Sequence, residues 1–236
     1  MATRPLDGAV IAFDLDGTLV DTAPDLIGTV NHLLAQEGLS PLALEAARPF
    51  IGHGARPLIQ RGFQAAGQVV HPTRLQQLFE RFIPHYLGRI AQESRPFPGC
   101  MAALDALAAE GAKLAVCTNK PTDLSVALLE ALDLAPRFAA IVGPDAAGAA
   151  KPDPRHLHAA VDAAGGTMDR TILVGDSGTD AGAARAAGAG LILVSFGYTD
   201  IPAADLSPDE LIHSFDDLPA ACLRLLSACG AQTGPL

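Results

Sequence analysis

Six positions in this chain carry side chains that can do chemistry together: Asp14, Asp16, Thr118, Lys151, Asp176 and Asp180. Each follows a short apolar run or precedes a helical pattern. The run 9–13 leads into Asp14-Leu15-Asp16-Gly17-Thr18, and the run 113–117 leads into Thr118-Asn119-Lys120. The run 171–174 leads into Gly175-Asp176-Ser177-Gly178-Thr179-Asp180, and Lys151-Pro152-Asp153-Pro154 opens a helical stretch. Asp14, Asp16 and Asp176, brought together, repel one another unless a cation sits between them. Oxygen ligands with no His or Cys cluster suit a hard ion such as Mg²⁺. The Lys151 ammonium and the Thr118 hydroxyl suit the oxygens of a phosphoryl group. Gly17 permits a sharp turn that lets backbone N–H groups approach those oxygens.

The elements that must position these groups are legible in the spacing. Apolar runs at 9–13, 113–117, 139–142, 171–174 and 191–194 are too short for buried helices and rich in Val and Ile, as strands covered on both faces are. Helical patterns at 101–110, 123–132 and 183–187 alternate with them, and Gly111 and Gly188 mark two helix ends. The expected fold is α/β: a Rossmann-like parallel sheet with helices on both faces. In such a sheet the strand C-termini share one edge, where ligands bind. From 22 to 95 no strand is expected. Four helical patterns, at 25–37, 41–50, 55–66 and 73–90, suggest an inserted helical cap subdomain, with Pro96-Phe97-Pro98-Gly99 as the return hinge. The expected division is thus a core of 1–21 and 96–236 and a cap of 22–95.

These segments together resemble the haloacid dehalogenase-like hydrolase superfamily. Asp14 to Thr22 is similar to its first motif and Thr118 in Cys117-Thr118-Asn119-Lys120 to its second. Lys151 in Lys-Pro-Asp-Pro is similar to its third motif, and Gly175-Asp176-Ser177 through Asp180 to its fourth. The resemblance implies that Asp14 attacks phosphorus to form an aspartyl-phosphate. It implies that Asp16 protonates the leaving alkoxide and later activates water. Mg²⁺ would be held by the Asp14 carboxylate, the Asp16 backbone carbonyl and the Asp176 carboxylate, with Asp180 orienting the site from behind. Thr118, Asn119 and Lys151 would bind the phosphoryl oxygens. Asp16 itself argues against the dehalogenating and phosphonate-cleaving branches, which lack that second aspartate.

Within the superfamily the chain resembles the phosphoglycolate phosphatases. The similarity rests on Arg48-Pro49-Phe50-Ile51-Gly52-His53-Gly54, on Phe97-Pro98-Gly99, on Cys117 to Lys120, and on Phe196-Gly197-Tyr198. Gly178-Thr179 departs from the Arg-Asn that commonly follows the fourth motif's Gly-Asp-Ser. A substrate carboxylate would need a cation or N–H donors, and Arg48, His53 and Arg56 are the cap candidates, with Asn119 and Lys120 next in line. Each has a plainer reading: His53 as loop filler, Arg56 and Arg61 as solvated helix faces, Asp21 as support for the cap hinge. The alternatives are other small phosphate-ester or pyrophosphate phosphatases, a phosphosugar mutase of the same superfamily, and, from another class, a phospho-accepting receiver domain. Receivers are about half this length and pair their acids side by side.

Composition narrows the field further. The 236 residues are 49% hydrophobic and 18% charged, with a formal net charge of -10. That balance is the reverse of a nucleic-acid binder's and a poor match for anionic membranes. Within one cleft, clustered cations can still attract a small anionic phosphomonoester. No apolar stretch approaches a membrane span. Cys100, Cys117, Cys222 and Cys229 form no C-x-x-C pair and read as free buried thiols, which with the lack of a signal-like leader suggests a cytoplasmic monomer or homodimer. Asp-x-Asp-Gly is not a calcium loop here, because Leu19 and Asp25 stand where Gly and Glu would be required.

Overall fold

A computed structural model describes residues 4–199 and 201–230, with the side chains of 228–230 excepted. In chain order the elements are β1 (Val10–Phe13), β2 (Val20–Asp21), α1 (Ala23–Gln36), α2 (Leu44–Ala47), α3 (Ala55–Ala65), α4 (Pro72–Leu87) and β3 (Arg95–Pro96). Then come α5 (Cys100–Ala109), β4 (Lys113–Cys117), α6 (Thr122–Ala131), β5 (Ala140–Val142), α7 (Pro144–Ala147) and α8 (Pro154–Ala163). The chain closes with β6 (Thr171–Gly175), α9 (Gly178–Ala187), β7 (Gly190–Val194), β8 (Glu210–Ile212) and α10 (Leu218–Gly230).

Six strands form one parallel sheet in the order β5-β4-β1-β6-β7-β8. Strand pleating sends alternate side chains to opposite faces. Ile11, Phe13, Leu114, Val116, Ile172 and Val174 accordingly enter one buried cluster, and Val10, Ala12, Ala115, Cys117 and Leu173 enter another. Both faces are covered, so the central strands are apolar apart from Lys113 and Thr171 at the starts of β4 and β6. The first cluster continues without a break into the helical insertion through Leu26, Ile27, Leu78 and Phe82. Because β1 lies between β4 and β6, the C-terminal ends of these three strands bring positions 14, 118 and 176 to one edge.

The insertion is helical, as expected, but its margins differ. β2 and β3 pair antiparallel, Val20 with Pro96 and Asp21 with Arg95, so the chain leaves and rejoins the sheet layer through a two-stranded ribbon. The helix expected over 41–50 is only the one-turn α2 followed by a 3-10 turn, Arg48–Phe50. Pro49 explains the break: it has no N–H to donate and its ring crowds the carbonyl of Glu45. Asp25, fully buried on α1, fastens the far end of the insertion. Its Oδ2 accepts from the Glu93 N–H at 2.9 Å, the Ser94 N–H at 2.8 Å and the Ser94 hydroxyl at 2.7 Å, while Arg89 Nε lies 3.2 Å from Oδ1.

Strand β8 was not expected; three residues are too few to show a period. Cys100, Cys117 and Cys222 are buried and unbridged, and burial pushes each thiol up to about 12, the state of packing groups, not nucleophiles. Cys229 falls outside the described side chains. Among the described residues no helix is long and apolar enough to cross a membrane.

Candidate active site

The floor of the site is built on strand ends. Asp14 continues the β1 ladder, its N–H donating to the Val174 carbonyl at 2.9 Å, so its carboxylate projects from the centre of the sheet edge. Lys151 Nζ lies 2.9 Å from Asp14 Oδ1 and 2.6 Å from Asp180 Oδ1, and all three side chains are almost fully buried. Lys151 is held at its backbone: its N–H donates to Asn119 Oδ1 at 2.9 Å and its carbonyl accepts from Asn119 Nδ2 at 3.2 Å. Asp180 reaches back at the start of α9, its Oδ2 accepting from the Asp176 N–H at 3.3 Å, the Ser177 N–H at 3.1 Å and the Ser177 hydroxyl at 2.6 Å. A helix N-terminus is a favourable place for that negative charge.

Asp176 is enclosed by backbone. Its Oδ2 accepts from the Tyr198 N–H at 2.6 Å, and Thr18 Oγ1 stands 3.4 Å from its Oδ1. Two glycines make the approach possible. A Cβ on Gly197 would lie 2.2 Å from Asp176 Cβ, and one on Gly17, where φ is +86°, would lie 2.6 Å from Asp176 Oδ2. Neither position accommodates another residue without moving the carboxylate.

Carboxylate oxygens of Asp14, Asp176 and Asp180 lie within 4.8 Å of one another. Burial pushes the Asp14 carboxyl up to about 6 against the pull of the Lys151 ammonium, and the Asp180 charge adds to the rise. Burial, then Asp180 and Asp14, push Asp176 well up as well. Against three carboxylates the described residues bring one ammonium, Lys151, and burial's tendency to deprotonate it is overcome by Asp14 and Asp180, which raise its pKa. Asp14 Oδ1, although buried, receives no aligned hydrogen bond among the described residues. An oxygen-only set with surplus negative charge fits a hard divalent cation.

Thr118 follows β4; its N–H donates to the Val142 carbonyl at 3.2 Å and its Oγ1 accepts from the Lys120 N–H at 3.2 Å. Asp16 does not turn its carboxylate toward the cluster of three. Lys120 Nζ holds it at 3.0 and 3.1 Å. The same ammonium lies 4.7 Å from the centroid of the Tyr86 ring. Asp14, Asp16, Thr118, Asn119 and Lys120 form the polar side of a partly open cavity. Its other wall is apolar and comes largely from the insertion: Leu26, Ile51, Leu58, Phe82 and Tyr86.

The three cap candidates do not line this cavity. Arg48 makes a two-pronged pair with Asp21 at 2.8 and 3.1 Å and also bonds Glu45, so its charge is committed at the ribbon. Arg56 bonds Gln76 at 2.6 Å and lies 4.1 Å from the Phe79 ring centroid, on the outer face of α3 and α4. His53 is exposed. What faces the cavity in their place is the backbone of Gly52, Gly54 and Ala55 at the start of α3. Asn119 uses its amide on the Lys151 backbone and the Gly52 carbonyl, which ties the floor to the insertion. Two residues assigned no role in the site beforehand matter here. Tyr86 walls the cavity beside Lys120. Tyr198 gives its N–H to Asp176 and its hydroxyl to Asp21, and accepts from the Ala23 N–H at 3.1 Å.

A buried carboxylate at the centre of a parallel sheet edge, flanked by an ammonium and by two acidic residues that follow β6, defines a class. The profile of haloacid dehalogenase-like hydrolases matches residues 11–194, and the chain belongs to that family. Among curated proteins it is 55% identical over 226 residues to the phosphoglycolate phosphatase of Caulobacter vibrioides, covering 96% of this chain and 95% of that one. It is 46% identical over 231 residues to the phosphoglycolate phosphatase of Agrobacterium fabrum, covering 98% and 99%. The crystal structure of a predicted phosphoglycolate phosphatase from Haemophilus somnus 129pt superposes with a TM-score of 0.83 at 31% identity, over 90% of this chain and 96% of that one.

Proposed function

We propose that this chain hydrolyses phosphoglycolate to glycolate and inorganic phosphate, with Mg²⁺ as the metal and Asp14 as the nucleophile. The observation that carries the reading is the placement of Asp14. Its carboxylate sits at the sheet edge against Lys151, with Thr118 and Asp16 beside it on one cavity. The similarity to the two bacterial phosphoglycolate phosphatases supports the substrate.

In the first step an Asp14 oxygen forms a bond to phosphorus while the bond to the glycolate oxygen breaks. Asp16 gives that oxygen a proton. In the second step Asp16 takes a proton from water, the water oxygen bonds to phosphorus, and the bond to Asp14 breaks. Lys151 and Thr118 hold phosphoryl oxygens through both steps. Asp14, Asp176 and the Asp16 carbonyl would hold Mg²⁺, which when bound would supply electrostatic stabilisation of the phosphoryl oxygens and let the carboxylates stand together charged. Asp180 holds Lys151 and the Asp176 loop in place.

Residues 22–95 act as a cap. The cavity lies between the strand-end floor and the walls supplied by the insertion, so the position of the insertion governs how a phosphomonoester enters. Closure then shields the reaction from bulk water.

The test is phosphate release from phosphoglycolate, ethyl phosphate, a hexose phosphate and pyrophosphate, with Mg²⁺ and after chelation. Phosphoglycolate is expected to give the highest kcat/KM and chelation to abolish turnover. Full activity without divalent metal refutes the metal reading. Preference for pyrophosphate refutes the substrate, and transfer of phosphate within a sugar without release points to a mutase.

A further inference from the structure

Lys120 is the one cationic side chain lining the cavity among the described residues. It is 5% exposed, and its walls on the insertion side are Leu58, Phe82 and Tyr86. We propose that Lys120 is the receptor for the distal carboxylate of the substrate, and that it passes from Asp16 to that carboxylate when Asp16 turns to the leaving oxygen. The proposal rests on the phosphoglycolate reading and gives it a specificity residue.

The argument begins with what the cavity lacks. A carboxylate placed among apolar walls without a partner is strongly disfavoured. Arg48 and Arg56, the other cations near the start of α3, are committed to Asp21 and Gln76. An ammonium has three donors. Asp16 takes two, at 3.0 and 3.1 Å, and the ring of Tyr86 lies beside the group at 4.7 Å. The third donor is turned to Tyr86, so an arriving anion takes the place of that neighbour or of Asp16. Gly54 and Ala55 line the same cavity where α3 begins without a side-chain cap, which adds the positive end of an eleven-residue helix to the anion's surroundings.

The second part follows from the pairing itself. In the structure Lys120 and Asp16 neutralise one another. To protonate the leaving oxygen Asp16 must take up a proton from solvent and release Lys120, and an unpaired ammonium in a buried apolar pocket is costly. A substrate carboxylate supplies the replacement counter-ion at that moment. An uncharged alkyl group does not. The contact is thus stronger in the transition state than in the ground state, which is the condition for it to raise kcat and not only lower KM.

The experiment compares phosphoglycolate, other esters with an anionic tail, and ethyl phosphate, in wild type, Lys120→Met and Lys120→Arg. In Lys120→Met the preference for phosphoglycolate over ethyl phosphate is expected to fall about 10- to 150-fold, with part of the loss in kcat. Lys120→Arg restores part of it. A folded Lys120→Met with the wild-type preference overturns the receptor role while leaving the substrate reading standing. If wild type prefers a different anionic-tailed ester, the substrate reading falls and Lys120 is judged on that ester. Preference for ethyl phosphate overturns both. A second measurement leaves Lys120 in place: glycolate titrated calorimetrically into Asp16→Asn, where the resident counter-ion is gone. Tighter binding than to wild type is expected, and equal or weaker binding overturns the exchange.

Discussion

The floor and the roof of the cavity are made by opposite strategies. The floor gathers Asp14, Lys151, Asp176 and Asp180, nearly all of their side-chain surface buried and every one bonded to backbone or to another member. The roof offers Ile51, Leu58, Phe82 and Tyr86, which give shape and dryness but no charge. The floor's charges stand at or beside strand ends and are held by backbone hydrogen bonds. The apolar walls are carried on helices joined to the sheet by a short ribbon. The difference teaches where substitutions should act on chemistry and where on stability or selectivity.

The strongest way to break this comparison is Asp14→Asn. Turnover is expected to fall about 10⁴-fold or more, with the melting temperature retained, as measured by phosphate release and thermal circular dichroism. Substantial turnover would remove Asp14 from its role and with it the special status of the floor. Next comes Asp16→Ala, expected to slow phosphoglycolate about 10²- to 10⁴-fold and 4-nitrophenyl phosphate much less, because a nitrophenolate leaves without a proton. Equal losses on the two substrates would make Asp16 structural.

On the roof the expected damage is of another kind. Asp25→Asn removes a charge that accepts three donors and pairs with Arg89. It should cost about 2 kcal/mol of stability, read as a lowered denaturation midpoint. Losses in kcat far beyond that would mean the roof takes part in the chemistry. The smallest effect is expected from Arg56→Ala, which removes an outer-face contact to Gln76 and Phe79 worth about 1 kcal/mol or less. A change in selectivity for the substrate carboxylate in this variant would return Arg56 to the site and sharpen the roof's part in recognition.

Most of the floor was legible in the sequence because Asp14, Thr118 and Asp176 each follow a short apolar run, and parallel strands deliver their ends to one edge, while Lys151 stands just before a helical pattern. The roof was not, for particular reasons. Ile51, Leu58, Phe82 and Tyr86 have the spacing of ordinary core residues, and nothing in that spacing tells a cavity wall from packing. The arginines invited a binding role because their partners are remote in sequence: Arg48 meets Asp21 across 27 positions and Arg56 meets Gln76 across 20. Lys120 and Asp16 are 104 positions apart, so their pairing leaves no local trace. Tyr198 did leave one, in Phe196-Gly197-Tyr198, yet its hold on Asp176 depends on a loop conformation that no periodicity reports.

The ribbon has a consequence for how such a molecule can be rebuilt. The whole helical insertion enters beside Asp21 and leaves beside Arg95, and these two residues face each other as a cross-strand pair. Residues paired in this way have Cα atoms about 5 Å apart, so the insertion spans almost no distance along the sheet. Its own two ends are clasped by Asp25 on Glu93 and Ser94, a clasp made wholly of its own residues. The segment therefore has the geometry of a cassette, one whose exchange for a relative's would leave Asp14, Thr118 and Asp176 on their strand ends and Lys151 on its loop before α8. Among the ties the grafting seam must keep, Arg48 must find Asp21, the Ala23 N–H must find the Tyr198 hydroxyl, the Gly52 carbonyl must meet Asn119, and the apolar face of the insertion must still fit the core cluster.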